Sequence, residues 1–399
     1  MSKLEELLAE LCPNGVGYKK LGEIATISRG GSFQKKDFKE SGFPCIHYGQ
    51  IYTQYHLFAD KTITFLDEAV AKKQKLAAPN DIVMAVTSEN IEDVCKCLAW
   101  LGDREVAVSG HSAIIHHQQN PKYLSYWFHS DKFFAQKRKL AHGTKVIEVT
   151  PAKLADIEIP VPPLPVQSEI VRILDNFTEL TAELTAELTA ELTARQKQYE
   201  YYRDTLLNFD VHQGGTDSVK WYALADIADI STGSSNTNEA IEDGMYPFYV
   251  RSQEPLLKDT YEYDETATIT AGDGVGVGKV YHYVEGKYAL HQRAYRIHIN
   301  NENVMPKYYF YYMQANFLTY IMKNMFQGSV SSIRRPMMNK FPVPVPPLAE
   351  QQRIVDILDR FDKLCNDITT GLPAEIEARQ KQYEYYRDQL LSFPRLESE

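Results

Sequence analysis

The chain contains part of itself twice. IPVPPLPVQSEIVRILDNF at residues 159–177 returns as VPVPPLAEQQRIVDILDRF at 343–361, and ARQKQYEYYRDTLLNF at 194–209 returns as ARQKQYEYYRDQLLSF at 378–393. Both pairs lie 184 positions apart, so the register runs through both segments without a gap. An eleven-letter identity, ARQKQYEYYRD, does not arise by chance within one chain. A weaker repeat opens each half: YKKLGEIATISRG at 18–30 resembles WYALADIADISTG at 221–233. Leu7-Leu8 ahead of Tyr18 matches Leu206-Leu207 ahead of Trp221, so the pattern continues cyclically. Between these openings and the proline strings the halves diverge almost completely. The chain must therefore build two similar frames that carry unlike inserts.

The shared parts read as helices entered through rigid connectors. Pro160-Val-Pro-Pro163 and Pro344-Val-Pro-Pro347 each end a β-like run, because proline fixes φ and removes a donor. Beyond the first, Ile170, Ile173, Leu174, Phe177, Leu180, Leu184, Leu188 and Leu192 recur at three- and four-residue steps, the stripe of an amphipathic helix. Residues 181–192 spell TAEL three times. At the same offset the second copy offers Leu364, Ile368, Leu372 and Ile376. Two such stripes are expected to pair as a coiled coil, with a kink or break at Gly371-Leu-Pro373. Within ARQKQYEYYRDTLLNF, Tyr199, Tyr202, Leu206 and Phe209 share a face for packing. Gln196, Gln198, Glu200 and Arg203 point outward, and with Gln380, Gln382 and Arg387 of the second copy they form a candidate docking surface.

The unlike inserts, residues 20–155 and 222–340, mix β-branched runs (81–87, 267–270) with turns and a late aromatic helix (122–140, 307–325). The reading is α+β with a partly antiparallel sheet in each. The expected organisation is 1–155, an N-terminal helix and first globular domain; 156–212, a central helical segment; 213–341, a second globular domain; and 342–399, a C-terminal helical segment. The arrangement carries internal pseudo-two-fold symmetry.

A net charge of −10 argues against nucleic acid until it is divided. Residues 1–150 carry 19 Lys and Arg against 17 Asp and Glu, whereas 151–215 carry 5 against 11. The acid sits in the helical segments, and a near-neutral domain can still present a basic face. The five cysteines are odd in number and scattered, the N-terminus lacks a basic start and apolar core, and no run approaches a membrane span, which together fit a reduced cytoplasm.

Sequences that would carry catalysis fail on inspection. GDGVGVGK at 272–279 has Asp273 where a phosphate loop needs glycine, and Val280 where it needs Ser or Thr. His111, His116 and His117 have no acidic or cysteine partner at ligand spacing, and Cys95-Lys-Cys97 has no second pair, so no metal site is expected. Both Pro-Pro pairs are followed by leucine rather than by the aromatic used on a flipped base. Polar, glycine-rich loops remain, and they suit DNA: hydroxyls and backbone N–H hold phosphates, while Arg, Gln and Asn read base edges. The candidate contacts are Ser28, Arg29, Lys35, Lys36, Gln50, Thr87, Ser88, His111, Thr144 and Lys145 in the first domain. In the second they are Ser231, Arg251, Ser252, Lys279, Gln292, Arg293, Ser329, Ser331 and Arg334.

Two unlike domains alternating with two matching helical segments resemble the DNA specificity subunit of type I restriction–modification enzymes. The PVPPL strings, the paired ARQKQYEYYRD segments and the TAEL array carry the resemblance, which covers nearly the whole chain and points to the subclass with TAEL repeats. It implies target-recognition domains that each read half of a split duplex site. It also implies a spacer and docking surface for two modification subunits, and restriction–translocase subunits beyond them. S-adenosylmethionine, ATP and Mg would belong to those partners, none to this chain, which is expected to be non-catalytic. The competing reading is a scaffold holding two protein- or glycan-binding domains.

Overall fold

Proline governs how each domain joins its helix. In the computed structural model, which describes residues 2–209, 219–324, 332–367 and 370–396, Glu158–Pro160 pairs antiparallel with Tyr18–Lys20, placing Tyr18 opposite Pro160. Pro342–Val345 pairs the same way with Lys220–Ala223, placing Trp221 opposite Pro344. Proline cannot donate to a ladder, so both ribbons stop at two strands. The weak repeat at each opening thus pairs with the strong repeat at each close. A helix starts directly after each Pro-Pro, at Leu164 and at Leu348.

The described chain divides into two compact units, Met1–Ala186 with Glu377–Glu399, and Glu187–Ile376. The first holds a five-stranded sheet in the order Ala25–Arg29, Ser112–His117, Ile82–Ala85, Cys97–Trp100 and Phe58–Ala59, antiparallel except for the last pair. A four-stranded sheet, Thr64–Leu66, Phe43–Ile46, Val106–Val108 and Lys75–Ala77, has its central pair parallel. All of Ile82–Ala85 is buried, because both faces of that strand are covered. Alternate side chains serve different cores: Ile82 and Met84 pack with Tyr123, Tyr126 and Trp127, while Val83 and Ala85 pack with Ile46, Ile51, Leu98 and Trp100.

The second unit holds one six-stranded sheet: Ala228–Thr232, Ala294–Ile299, Tyr263–Ala271, Tyr281–Leu290, Tyr246–Tyr249 and Leu256–Lys258. Only the Tyr281–Leu290 and Tyr246–Tyr249 pair is parallel. Helix Pro306–Asn324 covers it and buries Tyr308, Tyr309, Tyr311, Tyr312, Met313 and Phe317. Met325, expected to end this helix, lies outside the described residues. The matching helix expected at 122–140 in the first unit is two helices, Pro121–Trp127 and Asp131–Leu140. Ser130 divides them: its hydroxyl accepts the Phe133 N–H at 3.3 Å and caps the second helix.

The helical segments pack by matched pairs. In the first unit Phe177 stacks on Tyr386 with centroids 5.8 Å apart; in the second, Phe361 stacks on Tyr202 at 5.5 Å. Under the 184-residue offset these are the same pair. Leu207 and Leu391 are buried alike. The C-terminal segment breaks where expected, into Leu348–Asn366 and Leu372–Leu390, with Pro373 in the first turn of the latter.

The uniform stripe is corrected. Ile170, Leu174, Leu188 and Leu372 are buried, and Leu184, Leu192 and Ile376 are half-buried, but Leu180 is 61% exposed and Leu364 37%. Ile368 lies outside the described residues. A four-residue step turns a helix about 40° past a full turn, so leucines repeated every fourth position walk around its surface.

Candidate nucleic-acid interface

In each domain the helix that backs the sheet, Pro121–Trp127 or Pro306–Asn324, is held to the shared segment by the same three contacts. Gln167 is fully buried; its Oε1 accepts the Asn120 N–H (2.9 Å), and its Nε2 donates to Gln119 Oε1 and the Pro162 carbonyl (2.8 Å each). Gln351, its repeat mate, accepts from Met305 N–H (2.8 Å) and donates to the carbonyls of Asn303 (2.8 Å) and Pro346 (2.7 Å). Tyr123 and Tyr308 donate their hydroxyls to the carbonyls of Pro160 and Pro344, at 3.0 and 2.9 Å. Asp175 takes Lys122 at 2.7 Å and the Tyr126 hydroxyl at 2.9 Å; Asp359 takes Lys307 at 3.4 Å and the Tyr311 hydroxyl at 2.5 Å. Burial, then the acceptor carboxylate, keeps the Tyr311 phenol far above its ordinary pKa. The sequence reading missed this set. Its signal was present: PKYLSY at 121–126 and PKYYFY at 306–311 share a lysine and two tyrosines at one spacing.

In the first unit the structure gathers Arg29, Thr87, Ser88 and His111 around one sheet end. Arg29 donates from Nε to the Gly110 carbonyl and from Nη2 to Glu148, both at 2.8 Å. A Cβ on Gly30 would sit 2.2 Å from the Ser109 carbonyl oxygen, so only glycine lets the two loops touch. Thr87 Oγ1 and His111 Nδ1 lie 3.0 Å apart, and the His111 ring is 4.9 Å from Tyr48. Ser88 pairs across from Ile147, and Ser28 sits half-buried in the outer strand. Lys35 and Lys36 are exposed on the short turn Lys35–Asp37. Burial, with Lys35 adding positive charge nearby, lowers the His47 pKa to about 4, so that imidazole stays neutral. Thr144 and Lys145 are exposed in the loop closed by the His142–Glu148 bridge.

Two nominated residues turn inward instead of facing solvent. Gln50 is 7% exposed, and its Oε1 accepts from His47 N–H (3.1 Å) and Thr64 Oγ1 (3.2 Å), because it caps its own short helix. Thr87 is buried too, and its carbonyl accepts the Tyr52 hydroxyl at 2.7 Å.

In the second unit three nominated residues share an open pocket of about 460 Å³. Arg251, Gln292 and Arg293 line it with His291 and Asn236, Thr237 and Asn238. Asp273 accepts from Arg251 Nη1 at 2.7 Å and from Arg293 Nη1 at 3.1 Å. Gln292 donates its amide to Asn236 Oδ1. The asparagine run and the role of Asp273 were missed. Ser231 lies elsewhere, 3.1 Å from Arg296 Nη1. Arg296 is a buried guanidinium neutralised by Asp229 (2.7 Å) and Glu265. Ser252 is exposed and donates to the Glu254 carbonyl at 2.7 Å. Lys279 and Arg334 are exposed on separate loops; Ser329 and Ser331 lie outside the described residues.

On the helical segments Gln196, Gln380 and Gln382 are exposed and Gln198 is half-buried. Arg203 and Arg387 do not point freely outward. Arg387 is 9% exposed and pairs with Asp388 at 3.1 Å, as Arg203 pairs with Asp204 at 2.8 Å. The residues that do project are Tyr201 and Tyr385, 67% and 60% exposed at equivalent positions.

A family model described as "Type I restriction modification DNA specificity domain" matches residues 13–194 and again 217–378. The specificity subunit of the Escherichia coli type I restriction enzyme EcoR124I/EcoR124II is 38% identical over 304 residues, 69% of this chain and 72% of that protein. A putative type I restriction enzyme specificity subunit of Haemophilus influenzae, S.HindORF215P, is 38% identical over 272 residues, 63% of this chain and 68% of that one. Among solved structures, the HsdS subunit from Thermoanaerobacter tengcongensis aligns with TM-score 0.57 and 16% identity, covering 96% of each chain. A chain from work on complex assembly and conformational transition of the type I R-M system aligns at 0.63 and 18%, covering 95% of this chain and 98% of that one. These last two likenesses establish the fold.

Proposed function

Since the chain belongs to the type I restriction–modification DNA specificity family, we propose that it reads a bipartite, asymmetric duplex site, one half per recognition domain. It docks two modification subunits, with restriction–translocase subunits completing the assembly. The carrying observation is the duplicated anchor: one Gln, Tyr–Pro and Asp–Tyr–Lys set seats the aromatic helices of two unlike domains on two copies of one shared segment. Like mounts with unlike readers suit half-sites of different sequence, as dimeric mounts suit palindromes.

The division of labour follows from side-chain chemistry. Arg251, Arg293 and Gln292 carry the forked donors that suit guanine and adenine edges. Lys35, Lys36, Lys145, Lys279 and Arg334 are exposed cations on loops, suited to phosphates, which position the protein without reading sequence. Exposed Tyr201 and Tyr385, at matching positions beside exposed glutamines, offer two equivalent seats for two copies of one partner. Methyl transfer from S-adenosylmethionine to a flipped adenine, and ATP- and Mg-dependent steps, belong to the partner subunits.

The test is co-expression with the cognate modification subunit, followed by single-molecule sequencing of N6-methyladenine in host DNA. A split motif, two short defined halves around a fixed undefined gap, is the expected result. An intact complex that methylates a continuous motif, or none, would refute the reading.

A further inference from the structure

Two arginines that line the pocket of the second unit converge on one carboxylate, that of Asp273. Asp273 binds Arg251 on one side and Arg293 on the other, and its side chain is only 21% exposed. The backbone holds this geometry independently of the charges. Gly272 N–H donates to the Arg293 carbonyl at 2.9 Å, and Ile333 N–H donates to the Gly272 carbonyl at 2.8 Å. A Cβ on Gly272 would lie 2.7 Å from that Arg293 oxygen, so the loop needs glycine beside the aspartate. Buried His291 accepts the Arg293 N–H on Nδ1 at 3.0 Å. Arg293 nonetheless leaves 60% of its side chain open, and Arg251 40%.

We infer that Asp273 is a positioning residue for sequence readout: it clamps Arg251 and Arg293 so that their unused N–H groups face base edges, and it withholds their charge from the phosphates. The inference rests on the DNA-reading role proposed above and names the device inside it. A guanidinium presents five donors in a fixed plane, and one arm bound to carboxylate fixes where the others point. A free arginine beside DNA would be drawn to the nearest phosphate, a contact that carries no sequence information. Burial raises the Asp273 carboxyl and the two guanidinium groups more than offset this, so it stays ionised well below neutral pH. The half-site read by this domain therefore contains guanine, whose O6 and N7 accept a guanidinium fork.

The test uses the full chain in complex with the modification subunits, with two variants. Asp273→Asn keeps the shape and removes the charge. Its methylated motif is expected to become degenerate at one or more guanine positions of one half-site, with discrimination falling roughly tenfold or more, while the other half is unchanged. Its binding to an unrelated duplex is expected to strengthen, with the salt slope steeper by about one to two because two cations are released to phosphates. Arg293→Lys keeps the ion pair but loses the fork; it is expected to relax the same half with the salt slope unchanged. An unaltered motif in Arg293→Lys overturns the proposal even if Asp273→Asn fails to fold. Equal loss at both halves, or weaker non-specific binding in Asp273→Asn, would assign Asp273 to the fold instead. If the wild-type complex yields no split motif, the bipartite reading fails; a normal wild-type motif that both variants leave intact refutes the clamp alone.

Discussion

Replacing Gln351 by leucine isolates the anchor that seats helix Pro306–Asn324 on helix Leu348–Asn366. Leucine fills similar volume, so no cavity opens, but three hydrogen bonds vanish: from Met305 N–H, and to the carbonyls of Asn303 and Pro346. The side chain is fully buried, so water does not replace it without local opening. At about 1 kcal/mol net per bond the loss is ~3 kcal/mol, and stranded backbone groups push it higher. For a unit of this size, about 2–4 °C per kcal/mol, the melting temperature of the transition that contains residues 187–376 should fall by roughly 6–12 °C. Calorimetry on the full chain reads this directly. Gln167→Leu should do the same in the other unit at a smaller cost, about 2 kcal/mol, because one of its partners is the half-exposed Gln119 side chain rather than backbone. A shift under about 2 °C for Gln351→Leu would show that the three bonds are replaced at no cost and would refute the anchor as an energetic element.

Deleting residues 185–188 removes one TAEL unit, or about 6 Å of helix at about 1.5 Å per residue. Against about 3.4 Å per base pair, the undefined gap in the methylated motif should change by roughly one or two base pairs; an unchanged gap would sink the reasoning. Acid sensitivity should trace in part to a half-buried imidazole: desolvation lowers His129 to about 4 from an unfolded value near 6.5, so its stabilisation is present above 6.5 and lost as pH falls toward 4. Denaturation against pH should flatten in that window for His129→Gln, and an unchanged slope would exclude the group. Tyr385→Ala should release one of two docked partner copies with little change in melting temperature, because 60% of the ring is already in water. Mass measurement of the complex checks it, and a fully occupied assembly would rule out Tyr385 as a contact.

How much of this was legible beforehand follows from the physics of each part. The duplicated segments, the extended proline connectors and the helix break at Gly371 and Pro373 are local: proline and glycine act on their own backbone, whatever surrounds them. The break at Ser130 was equally local but unread, because a serine inside an aromatic run looks like part of the helix until its hydroxyl is seen to cap. The anchor at Gln167 and Gln351 was visible as a repeat, yet not as a contact, since its partners in the neighbouring domain lie 46 to 48 positions away.

Repetition at a fixed offset established, from the letters alone, two equivalent mounts carrying unlike domains, because identity survives only where the same packing is needed twice. Tertiary structure alone decided which polar residues meet. Gln50 and Arg293 look alike in sequence as loop donors, but one turns inward to cap its helix and the other opens onto a pocket. Asp273, which only breaks a motif when read in line, becomes the partner of two arginines 22 and 20 positions away. Hydrogen bonds and ion pairs act over a few ångströms in space, and strand order, not chain order, determines which groups come that close.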